Sequence, residues 1–220
     1  MGRFLRNNGL SVALFTLFIG CQIGLSFVGL RHENSELADH GQPPVTYREY
    51  VTSGEFLEAT MENWESEFLQ MFAFVILTAV LFQKGSAESK SLDEPEEVDK
   101  DPRLARNPDR PWPVRKGGLV LRLYEHSLSG VLFLLFVVSF YLHARGGAQA
   151  YSAEQLLHGG STVSTLEYAG TSRFWFESLQ NWQSEFFSVG AIIVLAIFLR
   201  ERGSPESKPV AAPHSETGHG

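Results

Sequence analysis

The sequence is poor in the residues on which several common classes of protein depend. Its single cysteine, Cys21, excludes an internal disulfide framework and a cysteine-ligated metal cluster. The formal net charge is -7, and the 18 Lys and Arg residues form no basic stripe, which argues against a nucleic-acid partner. The chain also has no nucleophile elbow, phosphate-binding glycine-rich loop, dinucleotide fingerprint, HExxH motif or CxxC motif. We therefore expect neither enzymatic activity nor a bound cofactor.

Hydrophobic residues make up 44% of the chain, and most of them are concentrated in four blocks: residues 10–30, 68–82, 128–142 and 186–199. The first block has 21 residues without a charge, enough for a helix to cross a hydrocarbon core of about 30 Å. The other three have 14 or 15 residues, so each needs a turn or more of less apolar helix from its flank. The pattern predicts an all-α membrane protein with four transmembrane helices.

Lys and Arg are unevenly distributed between the segments that join these blocks. Fourteen of the 18 lie near the N-terminus, in residues 84–122 or after residue 199, and only four lie in residues 31–62 and 143–180. Basic residues near span ends stay in the cytoplasm, so both termini and the central segment are predicted to be cytoplasmic. The alternative for the first block is a signal peptide cleaved near Cys21, but nine further uncharged residues follow Cys21 and favour a span.

The two halves of the chain are similar to each other. At an offset of 118 residues, 29 of 102 aligned positions are identical and no gap is needed. Each half has two spans, an even number, so both halves enter the membrane in the same direction. The predicted fold is therefore two parallel tandem helical-hairpin repeats related by pseudo-twofold symmetry.

The predicted organisation has two repeats, a proline-rich linker and a polar tail. We expect the outer loops to contain short helices lying on the membrane, and the tail to be disordered. Repeat 1 covers residues 1–92, with spans at about 10–30 and 62–83 and an outer loop at 31–61. A cytoplasmic linker follows at 93–118. Repeat 2 covers residues 119–204, with spans at about 122–143 and 180–200 and an outer loop at 144–179, and the tail is 205–220.

Polar residues lead into the second and fourth predicted spans. Helical spacing places them on one stripe or beside it, namely Thr60, Asn63, Ser66, Glu67 and Gln70 in the first repeat and Ser178, Asn181, Ser184, Glu185 and Ser188 in the second. Trp64 and Trp182 point elsewhere and suit the outer aromatic belt of a membrane as interface anchors.

Two interpretations of Glu67 and Glu185 remain open. In the structural one, each carboxylate is hydrogen-bonded to a neighbouring helix and holds the bundle together. In the functional one, the pseudo-twofold brings the two carboxylates together around a small cavity that binds a cation or relays a proton. No basic residue lies inside the apolar blocks, which favours amide partners, protonation or bound cations over an ion pair.

The outer loops contain a duplicated pair of possible metal ligands. Glu36 and His40 recur as Glu154 and His158, and each histidine is followed by glycine. Two histidines and two glutamates that converge across the twofold could ligate a metal. The alternative is a short helix that carries histidine in its last turn and is stopped by glycine, and the spacing alone does not separate these. No metal site is assigned.

Three motifs resemble a small bacterial family of membrane proteins of unknown function. They are Asn-Trp-x-Ser-Glu-Phe at 63–68 and again at 181–186, Phe-x-Glu-Ala-Thr at 56–60, and Leu-Arg-Asn-Asn-Gly-Leu-Ser at 5–11. The resemblance covers nearly the whole chain and implies an integral membrane protein of bacteria, with no implied activity. The repeats differ in that Gln183 replaces Glu65 and His126 replaces Asn8.

The resemblance and the charge distribution together predict a multi-pass protein of the bacterial cytoplasmic membrane. The expected partners are the lipid bilayer and either a second copy of the chain or another membrane protein. Our leading hypothesis is a structural or interaction protein, because the duplicated features are explained as aromatic-belt anchors, helix caps and contacts between helices. The alternative is a small cation or proton channel or transporter that uses Glu67 and Glu185.

Overall fold

A computed structural model describes residues 2–92 and 95–218, and this part of the chain is helical, with no β-strand. Its eight α-helices are α1 (Gly2–Asp39), α2 (Tyr47–Val51), α3 (Gly54–Val80), α4 (Trp112–Lys116), α5 (Gly118–Glu125), α6 (Ser127–Leu157), α7 (Thr165–Ala169) and α8 (Ser172–Phe198). Two 3-10 turns, Glu97–Asp99 and Pro102–Leu104, lie in the predicted linker. Residues 93–94 of that linker and 219–220 of the predicted tail lie outside the described residues. The predicted all-α class is confirmed for the part described.

Among the described helices, α1, α6 and α8 are long and apolar enough to cross a membrane. Only 6% of the most apolar stretch of α1, and the same share in α8, is buried within the chain. Large side chains such as Phe15 and Phe187 are therefore exposed. An apolar surface of this extent is stable against lipid and costly in water, so these helices are compatible with a membrane protein.

Helix α3, which contains the second predicted span, is not among these three. Its first half is polar and includes Glu65 and Glu67, and its apolar part ends with the helix at Val80 rather than near residue 83. The apolar segment is consequently shorter than a hydrocarbon core requires. A transmembrane position for α3, and with it a fourth span, therefore remains a proposal.

Helices α1 and α6 continue well past the predicted span ends, and both stop at a glycine. Gly41 and Gly159 have φ values of 68° and 75°, in the left-handed region that favours glycine. The N–H of Gln42 donates to Leu37 O at 2.8 Å, and that of Gly160 donates to the matching carbonyl of Gln155 at 2.7 Å. These bonds are typical of a Schellman motif, so each histidine–glycine pair ends a long helix rather than a short one.

The loops after these helices lead into two short helices with the same N-terminal structure. Thr46 caps α2 and exchanges hydrogen bonds with Glu49, while Ser164 caps α7 and exchanges hydrogen bonds with Glu167. Each arrangement is a capping box, which satisfies two backbone N–H groups that a helix start otherwise leaves without an intrahelical partner. Short helices are thus present in both predicted outer loops.

Contacts divide the chain into two compact units. Unit 1 comprises Met1–Met61 and Tyr141–Trp175, and unit 2 comprises Glu62–Phe140 and Phe176–Gly220. The buried core of unit 1 includes Tyr50, Tyr168, Phe174, Ala144 and Ala148. In unit 2, a set of ring contacts joins Phe72, Phe133, Phe136, Phe140 and Trp182.

The predicted tail folds back on one buried lysine in unit 2. The Lys208 side chain is only 1% exposed. Its ammonium group donates to the backbone carbonyls of Pro213 at 3.0 Å, His214 at 3.1 Å and Glu216 at 2.8 Å. The described residues of the tail are therefore organised by backbone acceptors around a single cation.

Candidate functional site

A cluster of three buried polar side chains lies in unit 1. Glu58 of α3 is 7% exposed, and His143 of α6 and Tyr168 of α7 are fully buried. The Tyr168 hydroxyl donates to Glu58 Oε1 at 2.7 Å. A carboxylate oxygen of Glu58 and a ring nitrogen of His143 lie within 4.8 Å of each other. Three helices thus bring an acid, an imidazole and a phenol to one place.

Two consecutive glycines in α6 allow α3 to come this close. A Cβ atom on Gly146 would lie 2.6 Å from the backbone N of Glu58. A Cβ atom on Gly147 would lie 2.2 Å from Cε1 of Tyr168 and 2.7 Å from Oε1 of Glu58. Glycine inside a helix costs about 1 kcal/mol relative to alanine. Glycine nevertheless occupies two adjacent positions of α6. The close approach of α3 and α6 that it permits places Glu58 beside Tyr168.

Aromatic rings surround this cluster within unit 1. The ring of Phe174 lies 4.8 Å from that of His143 and 5.8 Å from that of Tyr168, and the Tyr151 ring lies 5.8 Å from Tyr168. Arg173 is placed over the Tyr151 ring at 5.5 Å. The polar groups of the cluster therefore lie among apolar rings, where the effective dielectric constant is low and electrostatic interactions are strong.

A second group of polar contacts joins the parts of α3 and α8 that belong to unit 2. Asn181 Nδ2 donates to a carboxylate oxygen of Glu62. Trp182 Nε1 donates to Glu65 Oε1 at 2.9 Å, and Glu65 is fully buried. The Trp182 ring also packs against Phe136 and Phe140. Trp182 thus makes specific contacts inside unit 2, while its predicted role as a membrane anchor stays a prediction.

The other residues of the predicted polar stripe differ in their surroundings. Thr60 is buried in unit 1 and accepts a 3.1 Å hydrogen bond from Gln22 of α1. Ser178 is fully buried, whereas Asn63 and Trp64 are exposed. Three serines donate to backbone carbonyls three residues earlier in their own helices: Ser66 to Asn63 at 2.8 Å, Ser184 to Asn181 at 2.8 Å and Ser188 to Glu185 at 2.9 Å.

Glu67 and Glu185 lie near each other in unit 2. Glu67 is exposed and Glu185 is half-buried, and they are close enough for the charge of Glu67 to act on the Glu185 carboxyl group. Unit 2 has a cavity of about 310 Å³ whose lining includes Gln70 and Phe186, residues that follow Glu67 and Glu185 closely in the chain. Neither glutamate is among the described lining residues of this cavity.

The two outer-loop histidines meet in unit 1, but the glutamates paired with them do not join them. The rings of His40 and His158 are in edge contact, with centroids 5.5 Å apart. Glu36 lies 3.5 Å from Nε2 of His32, and Glu154 forms an ion pair with Arg173. The two histidines of the possible metal site thus contact each other, whereas its two carboxylates pair with other residues.

The capping boxes lower the pKa values of two glutamates outside the long helices. Hydrogen bonds from the Thr46 backbone and side chain lower the pKa of Glu49 below its ordinary value, because they favour the charged form. Hydrogen bonds from the Ser164 backbone and side chain lower the pKa of Glu167 in the same way. Both carboxylates are therefore ionised at neutral pH.

Sequence reasoning did not select Glu58, Glu62, Glu65 or His143 as site residues. Glu58 belongs to the Phe-x-Glu-Ala-Thr motif that carries part of the family resemblance, which was the available signal for it. His143 has leucine at the matching position of the first repeat, so comparing the repeats gave no indication of it. Its role depends on tertiary contacts with residues that are distant in the chain.

These features define an all-helical protein with three described helices that are compatible with a membrane and with buried polar contacts between helices. The chain belongs to the family described as Domain of unknown function (DUF6766), whose model matches residues 1–219. The predicted membership of an uncharacterised family is therefore confirmed. Comparison with curated proteins and with solved structures found no match.

Proposed function

We propose that this protein is a structural or interaction protein of the bacterial cytoplasmic membrane. It has four spans, both termini lie in the cytoplasm, and its partner is a second copy of the chain or another membrane protein. It is not an enzyme and binds no nucleic acid, a proposal supported by the missing catalytic motifs and the missing basic stripe.

In this proposal α3 also crosses the membrane, in addition to α1, α6 and α8. It is 27 residues long, so at 1.5 Å per residue it extends for about 40 Å, the full thickness of a bilayer with its headgroup regions. Its apolar half, which ends at Val80, and the adjoining turns of its polar half cross the hydrocarbon, and the rest of the polar half lies at the outer headgroups. The distribution of Lys and Arg supports this orientation.

The arrangement as two repeats is supported by local structure that recurs at the offset found in the sequence. Helices α2 and α3 begin and end 118 residues before α7 and α8. The same offset relates the packing of two buried tyrosines, because a Cβ on Gly29 would collide with Tyr50 and one on Gly147 would collide with Tyr168. These matches favour duplicated hairpins over an accidental similarity of sequence.

The neighbouring carboxylates of Glu67 and Glu185 are the observation that carries the interaction proposal. Glu67 is exposed on the chain, next to the apolar half of α3. A carboxylate near the hydrocarbon boundary costs a few kcal/mol unless it finds a polar partner. Another membrane helix that docks on this face supplies hydrogen-bond donors and removes the carboxylates from lipid.

Cross-linking in native membranes, together with mass determination in nanodiscs, tests this proposal. The Glu67→Leu/Glu185→Leu variant should lose most of the cross-linked species, while Glu67→Gln/Glu185→Gln should keep them because glutamine still forms hydrogen bonds. The matched control, Glu201→Gln/Glu206→Gln, removes two exposed charges outside the helices and should behave like the wild type. An unchanged cross-linking pattern in the leucine variant would overturn the interaction face.

The second candidate function is a small cation or proton pathway at the same pair. The specific observation in its favour is that the charge of Glu67 acts on the carboxyl group of Glu185, and neighbouring carboxylates of this kind favour a shared proton or cation. Proton and cation flux into liposomes of phosphatidylethanolamine and phosphatidylglycerol distinguishes the two functions. Flux that disappears in Glu67→Gln/Glu185→Gln supports the pathway, and wild-type flux no greater than that of empty liposomes rejects it.

A further inference from the structure

We propose that Glu58 and His143 are two ligands of a site for a divalent transition-metal ion in unit 1. This site is distinct from the Glu67/Glu185 pair and does not depend on the proposed interaction function. The ion belongs to the class that accepts both imidazole nitrogen and carboxylate oxygen, such as Zn²⁺, Mn²⁺ or Fe²⁺.

The geometry of the two groups suits a single ion. Ligand atoms that are each about 2.1 Å from a metal lie about 3 to 4 Å from one another. A carboxylate oxygen of Glu58 and a ring nitrogen of His143 lie within 4.8 Å of each other, close to the separation that a shared ion requires. The groups come from different helices, α3 and α6, and both side chains are buried.

Tyr168 is the positioning residue of this site. Its hydroxyl donates to Glu58 Oε1 at 2.7 Å. A carboxylate offers about four lone-pair positions, so the same group can accept this hydrogen bond and ligate a metal ion. Hydrogen-bond partners of metal ligands fix the orientation of the ligand and typically change metal affinity by about 10- to 100-fold.

The surroundings explain why a cation would be bound here. His143 and Tyr168 pack against the ring of Phe174, so the effective dielectric constant around Glu58 is low. The attraction between a divalent ion and the Glu58 carboxylate is strong under these conditions, at the place where the glycines of α6 allow α3 to come close. Imidazole also disfavours Mg²⁺ and Ca²⁺, which prefer sites made only of oxygen ligands.

Metal content and affinity of the full chain test the proposal. The protein is purified without a histidine tag, reconstituted in nanodiscs and titrated with Zn²⁺, Mn²⁺ or Co²⁺ against a competing chelator. We expect about one ion per chain, a Co²⁺ absorption spectrum that reports nitrogen and oxygen ligands, and a rise in the thermal midpoint when metal is added. Wild-type protein that binds none of these ions would overturn the site.

Single substitutions locate the site. Glu58→Gln and His143→Gln should each lower the affinity by at least about 100-fold, and Tyr168→Phe should lower it by about 10-fold, the range for a group that orients a ligand. The matched control is His40→Gln/His158→Gln, which removes the exposed histidine pair. Binding lost in this control, or kept in both ligand variants, would contradict the assignment.

Circular dichroism and size-exclusion chromatography establish that each variant is folded before its affinity is interpreted. If Glu58→Gln does not fold, His143→Gln and the wild-type protein still decide the question, because metal must raise the thermal midpoint of the wild type and leave that of His143→Gln unchanged. An equal rise in both proteins would reject His143 as a ligand.

Discussion

The hydroxyl of Tyr168 donates a 2.7 Å hydrogen bond to the carboxylate of Glu58, which lies 110 residues earlier in the chain. Both side chains are buried, so water does not replace this bond when it is removed. The contact joins the start of α3 to the loop helix α7. It therefore ties the two predicted outer loops together within unit 1.

We expect Tyr168→Phe to lower the free energy of unfolding by about 1 to 3 kcal/mol, because it leaves a buried acceptor without its donor. Tyr50→Phe is the matched control, since Tyr50 is equally buried and its hydroxyl donates no hydrogen bond within the described part of the chain. Chemical denaturation in detergent, followed by circular dichroism, compares the two variants. Equal losses would show that the Tyr168 bond contributes nothing specific.

Gly147→Ala should destabilise the protein by about 1 to 3 kcal/mol through overpacking. The added methyl group would lie 2.2 Å from Cε1 of Tyr168 and 2.7 Å from Oε1 of Glu58, so these buried side chains would have to shift. Gly130→Ala, in the same helix, introduces its methyl group into open space and should be neutral or stabilise by up to about 1 kcal/mol. Thermal midpoints measured side by side test the difference, and a tolerated alanine at 147 would contradict the close approach.

The two capping boxes predict a loss of stability in acid. The pKa values of Glu49 and Glu167 in the folded protein lie below the ordinary value of 4.5. The unfolded chain therefore binds more protons in the window just below pH 4.5, and stability falls as the pH drops through the folded pKa values. The Glu49→Gln/Glu167→Gln variant should lose less stability over this window than the wild type. Parallel curves of thermal midpoint against pH would exclude the contribution.

The orientation can be tested by cysteine labelling. After Cys21→Ser, single cysteines at Ser53 and Thr162 should react with an impermeant maleimide in intact cells, and one at Ser91 should react only after the cells are opened. The expectation follows from the distribution of basic residues, which places 14 of 18 on the side of the termini and the central segment. The reverse pattern of labelling would invert the topology.

The helical class was predictable because uncharged runs such as residues 10–30 have one stable conformation in a bilayer. The glycine after each outer-loop histidine was also informative, since Gly41 and Gly159 stop α1 and α6. The lengths of those helices were not predictable from hydropathy, because their last turns mix polar and apolar residues. Hydropathy locates the lipid-facing part of a helix and carries no information about where its hydrogen bonds end.

The buried cluster of Glu58, His143 and Tyr168 could not be predicted from sequence patterns, for a different reason. Glu58 precedes the apolar half of α3, His143 lies at the end of an apolar block, and Tyr168 belongs to a loop. No helical period or motif spacing joins these three residues. Only the packing of α3 on the glycines of α6 brings them together, and such packing depends on shapes that a linear pattern does not encode.

The ring of contacts around Lys208 has a consequence for how the end of the chain tolerates change. Its three acceptors are backbone carbonyls, of Pro213, His214 and Glu216, and every amino acid supplies such a carbonyl. The side chains of this segment can therefore vary while the ring persists. Inserting or deleting one residue between 208 and 213 would move all three carbonyls out of register with the ammonium group. The number of residues in the segment is thus constrained more tightly than their identity.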